Sequence, residues 1–129
     1  MLTDNEILES AQQTLKIEAE SLKDLIPLLN SDFANATKAV FECKGRLIVS
    51  GIGKSANVAH KIVATLNSTG TPAVFMHAAD AIHGDLGIVL KDDIVMILSN
   101  SGNSPEIKSL LPFIKSRGNK VIAVVGNLK

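Results

Sequence analysis

The chain has 129 residues, enough for one domain with its own core and too few for two of ordinary size. It is 46% apolar and only 20% charged, which excludes a disordered chain, and its 13 basic and 13 acidic residues cancel without forming a Lys/Arg cluster. With 4 Phe and neither Trp nor Tyr, it offers no stacking platform for nucleic acid and no basic face for an anionic membrane.

Residues 3–29 are expected to form one long helix. Thr3 and Glu6 fit a capping box, and Leu8, Ala11, Leu15, Leu22, Leu25 and Leu29 recur in steps of three, four and seven, interrupted at Glu18. At 1.5 Å per residue such a helix is roughly 40 Å long. The stripe suits a helix lying along its own domain, and equally one packing against another subunit. Ser31 is expected to cap a second helix running to about Cys43, with Gly45 as its stop. Residues 1–44 are therefore read as a helical arm.

Beyond Gly45 the rhythm changes. The runs at 47–50, 73–76, 94–98 and 121–125 are short, rich in β-branched residues and almost wholly apolar, as in parallel strands buried on both faces. Helical segments are expected at about 54–67 and 105–117, with a less regular stretch at 77–90. This alternation predicts an α/β fold over 45–129, a doubly wound parallel sheet of flavodoxin type. The fourth run, being apolar throughout, calls for shielding on both faces and along its edge; in this chain that edge is expected to be left exposed and open to pairing with another chain.

The start, "MLTDNEILES", is unlike a signal peptide, and no run approaches the ~18 apolar residues of a membrane span. The lone Cys43 suits a reducing compartment. A cytoplasmic protein is the expectation, and the two Asn-X-Thr tripeptides at Asn35 and Asn67 are read as chance.

In an open α/β sheet, ligands collect beyond the carboxyl ends of the strands. Three loops are expected there: "SGIGKSA" (50–56), "HAADAIHGDLG" (77–87) and "SNSGNSPE" (99–106). The first fits the G-x-G-x-x-G/A dinucleotide pattern, but that pattern wants an acid at the end of the second strand, where Met76 and His77 stand and Asp80 comes three residues late. A P-loop fails outright, because the required first glycine is Ile48. What survives is common to both: Gly51 and Gly53 let the backbone approach an anion, and the following helix N-terminus offers free N–H groups. Lys54 adds a full charge. Ser99, Ser101 and Ser104 repeat the arrangement after the third strand, so that two loops on neighbouring strands would enclose one phosphate; the alternative is that both loops are merely helix caps.

"GIGKSA", "STGTP", "AIHGDLG" and "SNSGNSPEI", in this order and spacing over about 46–126, resemble the sugar isomerase (SIS) domain, and most closely its D-arabinose 5-phosphate isomerase branch. That branch supplies a precursor of Kdo for lipopolysaccharide and some capsules. The resemblance implies an enzyme that interconverts an aldose and a 2-ketose phosphate. It puts the phosphate near Ser55, Ser99, Asn100, Ser101 and Ser104, counts Gly53 among the substrate-binding residues, and sets Gly70 and Thr71 along the sugar. It makes Lys54 and Glu106 catalytic, with His83 contacting substrate and joining the chemistry. His77 matches a substrate-side histidine able to hold an inhibitory zinc; from the residues alone it is equally a strand-end histidine satisfied by backbone. No required cofactor is implied. The resemblance also implies a dimer or tetramer, and places a further strand, a catalytic Glu and a catalytic His beyond Lys129. The 129-residue chain is thus expected to bind phosphosugar weakly without isomerising it. A non-catalytic phosphosugar sensor and another SIS sugar-phosphate isomerase are the competing readings.

Overall fold

Thr3 and Glu6 start the first helix as the sequence predicts. The Thr3 N–H donates to the Glu6 carboxylate at 2.7 Å, and the Glu6 N–H returns a bond to Thr3 Oγ1 at 3.3 Å. The Thr3 N–H, and with it the Thr3 hydroxyl donating to the same carboxylate at 2.9 Å, hold the Glu6 carboxyl below its ordinary value. The helix α1 covers Asp4–Leu25 and then tightens into a 3-10 turn, Ile26–Leu28, where Pro27 has no N–H to continue the ladder. The single helix expected to residue 29 is therefore shorter. The next helix, α2 (Ser31–Phe41), is capped by Asn30 instead of Ser31: Asn30 Oδ1 accepts from the N–H groups of Asp32 (2.9 Å) and Phe33 (3.4 Å).

The computed structural model describes residues 2–127 and divides the chain into two compact units, Met1–Thr37 and Lys38–Lys129. In the first unit Leu15, Leu22 and Leu29 are exposed. No helix among the described residues is long and apolar enough to cross a membrane.

The second unit holds four strands, β1 (Leu47–Gly51), β2 (Ala73–His77), β3 (Ile94–Ser99) and β4 (Lys120–Val125), all parallel in the order β2-β1-β3-β4. Three further helices are α3 (Lys54–Ser68), α4 (Ala78–Ile82) and α5 (Pro105–Ser116). A 3-10 turn over Asp85–Ile88 completes the stretch that lacks a clean period in the sequence. Alternation along the strands splits the core in two. Ile48, Met76, Val95 and Ile97 pack with Ile107, Leu110 and Ile114 of α5 and with Ala78 and Ala81 of α4. Leu47, Val49, Ala73 and Ile94 pack with Ala59, Ile62 and Val63 of α3 and with Ala39, Val40 and Cys43. The sheet is doubly wound, as predicted. Only β1 and β3, the central strands, are nearly continuously buried; β4 is an outer strand among the described residues, with Val124 51% exposed, in line with the open apolar edge expected of it in this chain.

The amino-terminal edge of the sheet is locked by a buried carboxylate. Asp93, 3% exposed, accepts from the Arg46 N–H (2.8 Å), Arg46 Nη2 (2.7 Å) and the Leu90 N–H (2.9 Å). Burial works to raise its pKa, yet the Arg46 and Leu90 donors outweigh it and hold the carboxyl below the ordinary value. Gly45 belongs to this knot. It lacks the positive φ of a helix stop; a Cβ there would lie 2.5 Å from the Asp92 carbonyl, so close approach is its role.

Candidate phosphate-binding site

All four strands run the same way, so the loops after β1, β2 and β3 emerge at one edge. The helix after β1 covers one face of the sheet, and the helix after β3 covers the other. Between these two adjacent strands lies the switch point, where open α/β sheets hold their ligands.

At the β1 end, Gly53 adopts φ 57 and ψ −127, a conformation that favours glycine, and turns directly into α3. No side chain caps this helix. Lys54 and Ser55 form its first turn, Lys54 exposed and Ser55 half-buried. Gly51 lets that turn close onto the strand: a Cβ there would meet the Ser55 carbonyl carbon at 2.9 Å and the Ala56 nitrogen at 3.1 Å. The Lys54 ammonium forms no ion pair among the described residues and stands free for an anion.

At the β3 end, Ser99 is buried, and its Oγ lies 3.3 Å from Ser104 Oγ and accepts from the Gly102 N–H at 3.1 Å. Ser104 occupies the N-cap of α5, but its hydroxyl turns to Ser99 and caps nothing. Pro105 has no N–H to offer, which leaves the Glu106 and Ile107 amides as the donors of this first turn. Ser101 Oγ accepts from the Asn103 N–H at 3.2 Å, and both Asn100 and Ser101 are exposed. Glu106 is half-buried in the first turn, where its charge complements the helix dipole. Two uncapped helix N-termini on neighbouring strands, one with a cation and one with a hydroxyl pair, form an anion site in outline.

The loop after β2 flanks this pair. His77 ends the strand with its side chain 32% exposed; its Nδ1 is 3.8 Å from Asp80 Oδ2, too far for a hydrogen bond, and has no other partner. It is therefore not satisfied by backbone. No cluster of three His, Cys, Asp or Glu side chains able to hold a metal occurs among the described residues. His83 is exposed at the end of α4, where Gly84 at φ 140 reverses the chain.

Gly70 and Thr71 do not join the others. They lie in the turn between α3 and β2, where the Leu47 N–H binds the Pro72 carbonyl at 2.9 Å and Asn67 is bonded to Ala73 at both N–H (2.8 Å) and carbonyl (3.0 Å). That is the amino-terminal edge of the sheet. The crossover that carries the chain from the end of one parallel strand to the start of the next makes this unavoidable within one chain. Sequence reasoning also passed over Gly126, whose N–H binds the Ser99 (3.4 Å) and Asn100 (3.2 Å) carbonyls. Its signal was present: a glycine directly after the fourth strand of a parallel sheet.

The fold and this edge define a doubly wound α/β domain with two uncapped helix N-termini at its switch point. Residues 40–129 match the SIS domain, and the chain belongs to that family. It is 46% identical over 122 residues to arabinose 5-phosphate isomerase KdsD of Pseudomonas aeruginosa, covering 95% of this chain and 37% of that protein. To KdsD of Yersinia pestis it is 44% identical over 119 residues, covering 92% and 36%. Among solved structures, a protein of E. coli CFT073 in complex with arabinose 5-phosphate superposes with a TM-score of 0.91 at 38% identity, covering 96% of this chain and 66% of that one. The chain thus spans little more than a third of the curated relatives it matches.

Proposed function

We propose that this chain is the phosphosugar-binding part of an aldose–ketose isomerase that interconverts D-arabinose 5-phosphate and D-ribulose 5-phosphate. The observation that carries the reading is the pairing of two uncapped helix N-termini, α3 behind Gly53 and α5 behind the Ser99–Ser104 hydroxyl pair, on adjacent central strands. Likeness to named arabinose 5-phosphate isomerases over nearly the whole chain supports the choice of sugar.

In this reading the phosphate sits between the two loops, bound by amides of Ser55 and Glu106, by Ser99, Ser101 and Ser104 hydroxyls, and by the Asn100 amide. Binding energy remote from the reacting carbons then orients the sugar. A base removes the C2 proton of the aldose while O1 gains a proton, giving a cis-enediol. The enediol then loses the O2 proton and is reprotonated at C1 to form the 2-ketose. Glu106 is the carboxylate placed for the base, half-buried beside the grip. Lys54 neutralises phosphate or enediolate charge, and His83 orients a hydroxyl or opens the ring. The chemistry needs no cofactor; His77 is the residue through which zinc would inhibit. The whole protein is read as a cytoplasmic homo-oligomer that supplies the pentose phosphate precursor of Kdo for lipopolysaccharide or capsule.

A thermal-shift panel of pentose and hexose phosphates, followed by an isomerase assay of the hits on the full-length protein, tests this. Stabilisation by D-arabinose 5-phosphate with turnover to the ketose supports it; selective stabilisation by a hexose phosphate, or binding without turnover in the full-length protein, refutes it.

A further inference from the structure

The segment leaving β4 takes no part in the chemistry above, yet it meets the loop leaving β3 backbone to backbone. The Gly126 N–H donates to the carbonyls of Ser99 (3.4 Å) and Asn100 (3.2 Å). A Cβ on Gly126 would stand 2.7 Å from Asn100 Oδ1 and 2.8 Å from the Asn100 carbonyl oxygen. One residue on, the Asn127 carbonyl oxygen is 2.9 Å from where a Cβ on Gly102 would be. Real side chains do not tolerate such distances without displacing the backbone. Gly102 also adopts φ +67, but Gly126 does not have a positive φ. Conformational freedom is therefore not what position 126 requires; close approach is. The contact is coupled to the hydroxyl pair, because the Gly102 N–H donates to Ser99 Oγ and Ser99 Oγ meets Ser104 Oγ.

We propose that Gly126 is a positioning residue for the anion grip. Its missing side chain lets the segment after β4 lie against Asn100 and Gly102, and that contact sets the height of Ser99 and Ser104 over the first turn of α5. The proposal rests on reading that loop as a phosphate grip, and adds to it a residue that touches no substrate.

Isothermal titration of the chain with inorganic phosphate and with D-arabinose 5-phosphate tests this on the wild type, Gly126→Ala and Gly118→Ala. Gly118 sits at φ +79 with open space around it, so its substitution strains the backbone without reaching the grip. Gly126→Ala should lose about tenfold in affinity for both anions, the scale of one displaced hydrogen bond. Gly118→Ala should lose stability and keep wild-type affinity. Wild-type affinity in Gly126→Ala overturns the proposal and leaves the grip reading standing; a wild type that binds neither anion overturns both. If Gly126→Ala does not fold, the wild-type amide spectrum decides. Phosphate should shift the Gly126 signal together with Gly102, and a Gly126 signal that stays put overturns the proposal.

Discussion

Asp93→Asn isolates the knot that holds β1 and β3 together at the edge away from the site. The carboxylate accepts four hydrogen bonds: Arg46 N–H (2.8 Å) and Nε (3.3 Å) on Oδ1, and Arg46 Nη2 (2.7 Å) and Leu90 N–H (2.9 Å) on Oδ2. An asparagine keeps one acceptor oxygen for the first two and presents an NH₂ group to the second two. The Leu90 N–H is then left facing a donor. Arg46 Nη2 retains the Ile88 carbonyl at 2.7 Å, and the Arg46 side chain is 31% exposed, so part of its loss is recovered from water. Opposing this, the neutral side chain escapes the desolvation cost of a carboxylate that is 1% exposed. The depressed pKa shows which effect wins: the folded environment favours the charged form. Two lost bonds to a charged acceptor, less that relief, give a destabilisation of about 2–4 kcal/mol.

The pH dependence follows from the direction of the shift. Because the folded-state pKa lies below the unfolded value of about 3.9, the carboxylate's contribution is complete well above pH 4 and is lost as pH falls through the folded-state value. Urea denaturation of both proteins, from pH 7 down to the lowest pH at which they stay folded, should therefore show a stability gap that is constant near neutrality and narrows below about pH 4. A gap under about 0.5 kcal/mol at pH 7, or one that widens on acidification, would refute the reasoning.

Three other outcomes follow from the site. Replacing Ser101 and Ser104 together with Ala should weaken phosphosugar binding by about 1–3 kcal/mol, measured by titration, as charge-assisted bonds to the anion are lost. Non-phosphorylated D-arabinose should bind poorly to either version. In the full-length protein, Glu106→Gln should cut kcat by at least ~10²-fold with little change in KM, as expected for loss of a positioned base; normal turnover would reduce Glu106 to a helix-dipole complement.

The sheet was legible because its signal is local. Five-residue apolar runs such as 94–98 announce a strand buried on both faces wherever the fold puts it. What the runs do not encode is lateral order: residues 47–49 and 73–76 are both apolar, yet β1 lies inside the sheet between β2 and β3, and β2 has one neighbour among the described strands. Helix stops and caps were ambiguous where neighbours compete. Asn30 and Ser31 are both good caps, and only the Asp32 and Phe33 amides choose between them. Gly45 looks like a stop, but the reason for it lies far along the chain, at the backbone of Asp92. The site divides the same way. The glycine and serine loops after β1 and β3 stood out because their residues have little to pack. Gly70 and Thr71 were placed with them by likeness of motif, and the return of the α3 crossover to the opposite edge separates them. Gly126 went unread because its function is a distance to Asn100, and a distance between two segments is not written in either.

In the proposed function one anion is held between the loops that follow β1 and β3. Amide spectra of the chain titrated with D-arabinose 5-phosphate, and in parallel with D-arabinose, test it most directly. The phosphorylated sugar should shift the Lys54, Ser55, Glu106 and Ile107 amides together, with one shared affinity, and D-arabinose should leave them unmoved. Equal responses to the two sugars, or shifts confined to one of the two helix N-termini, would contradict it.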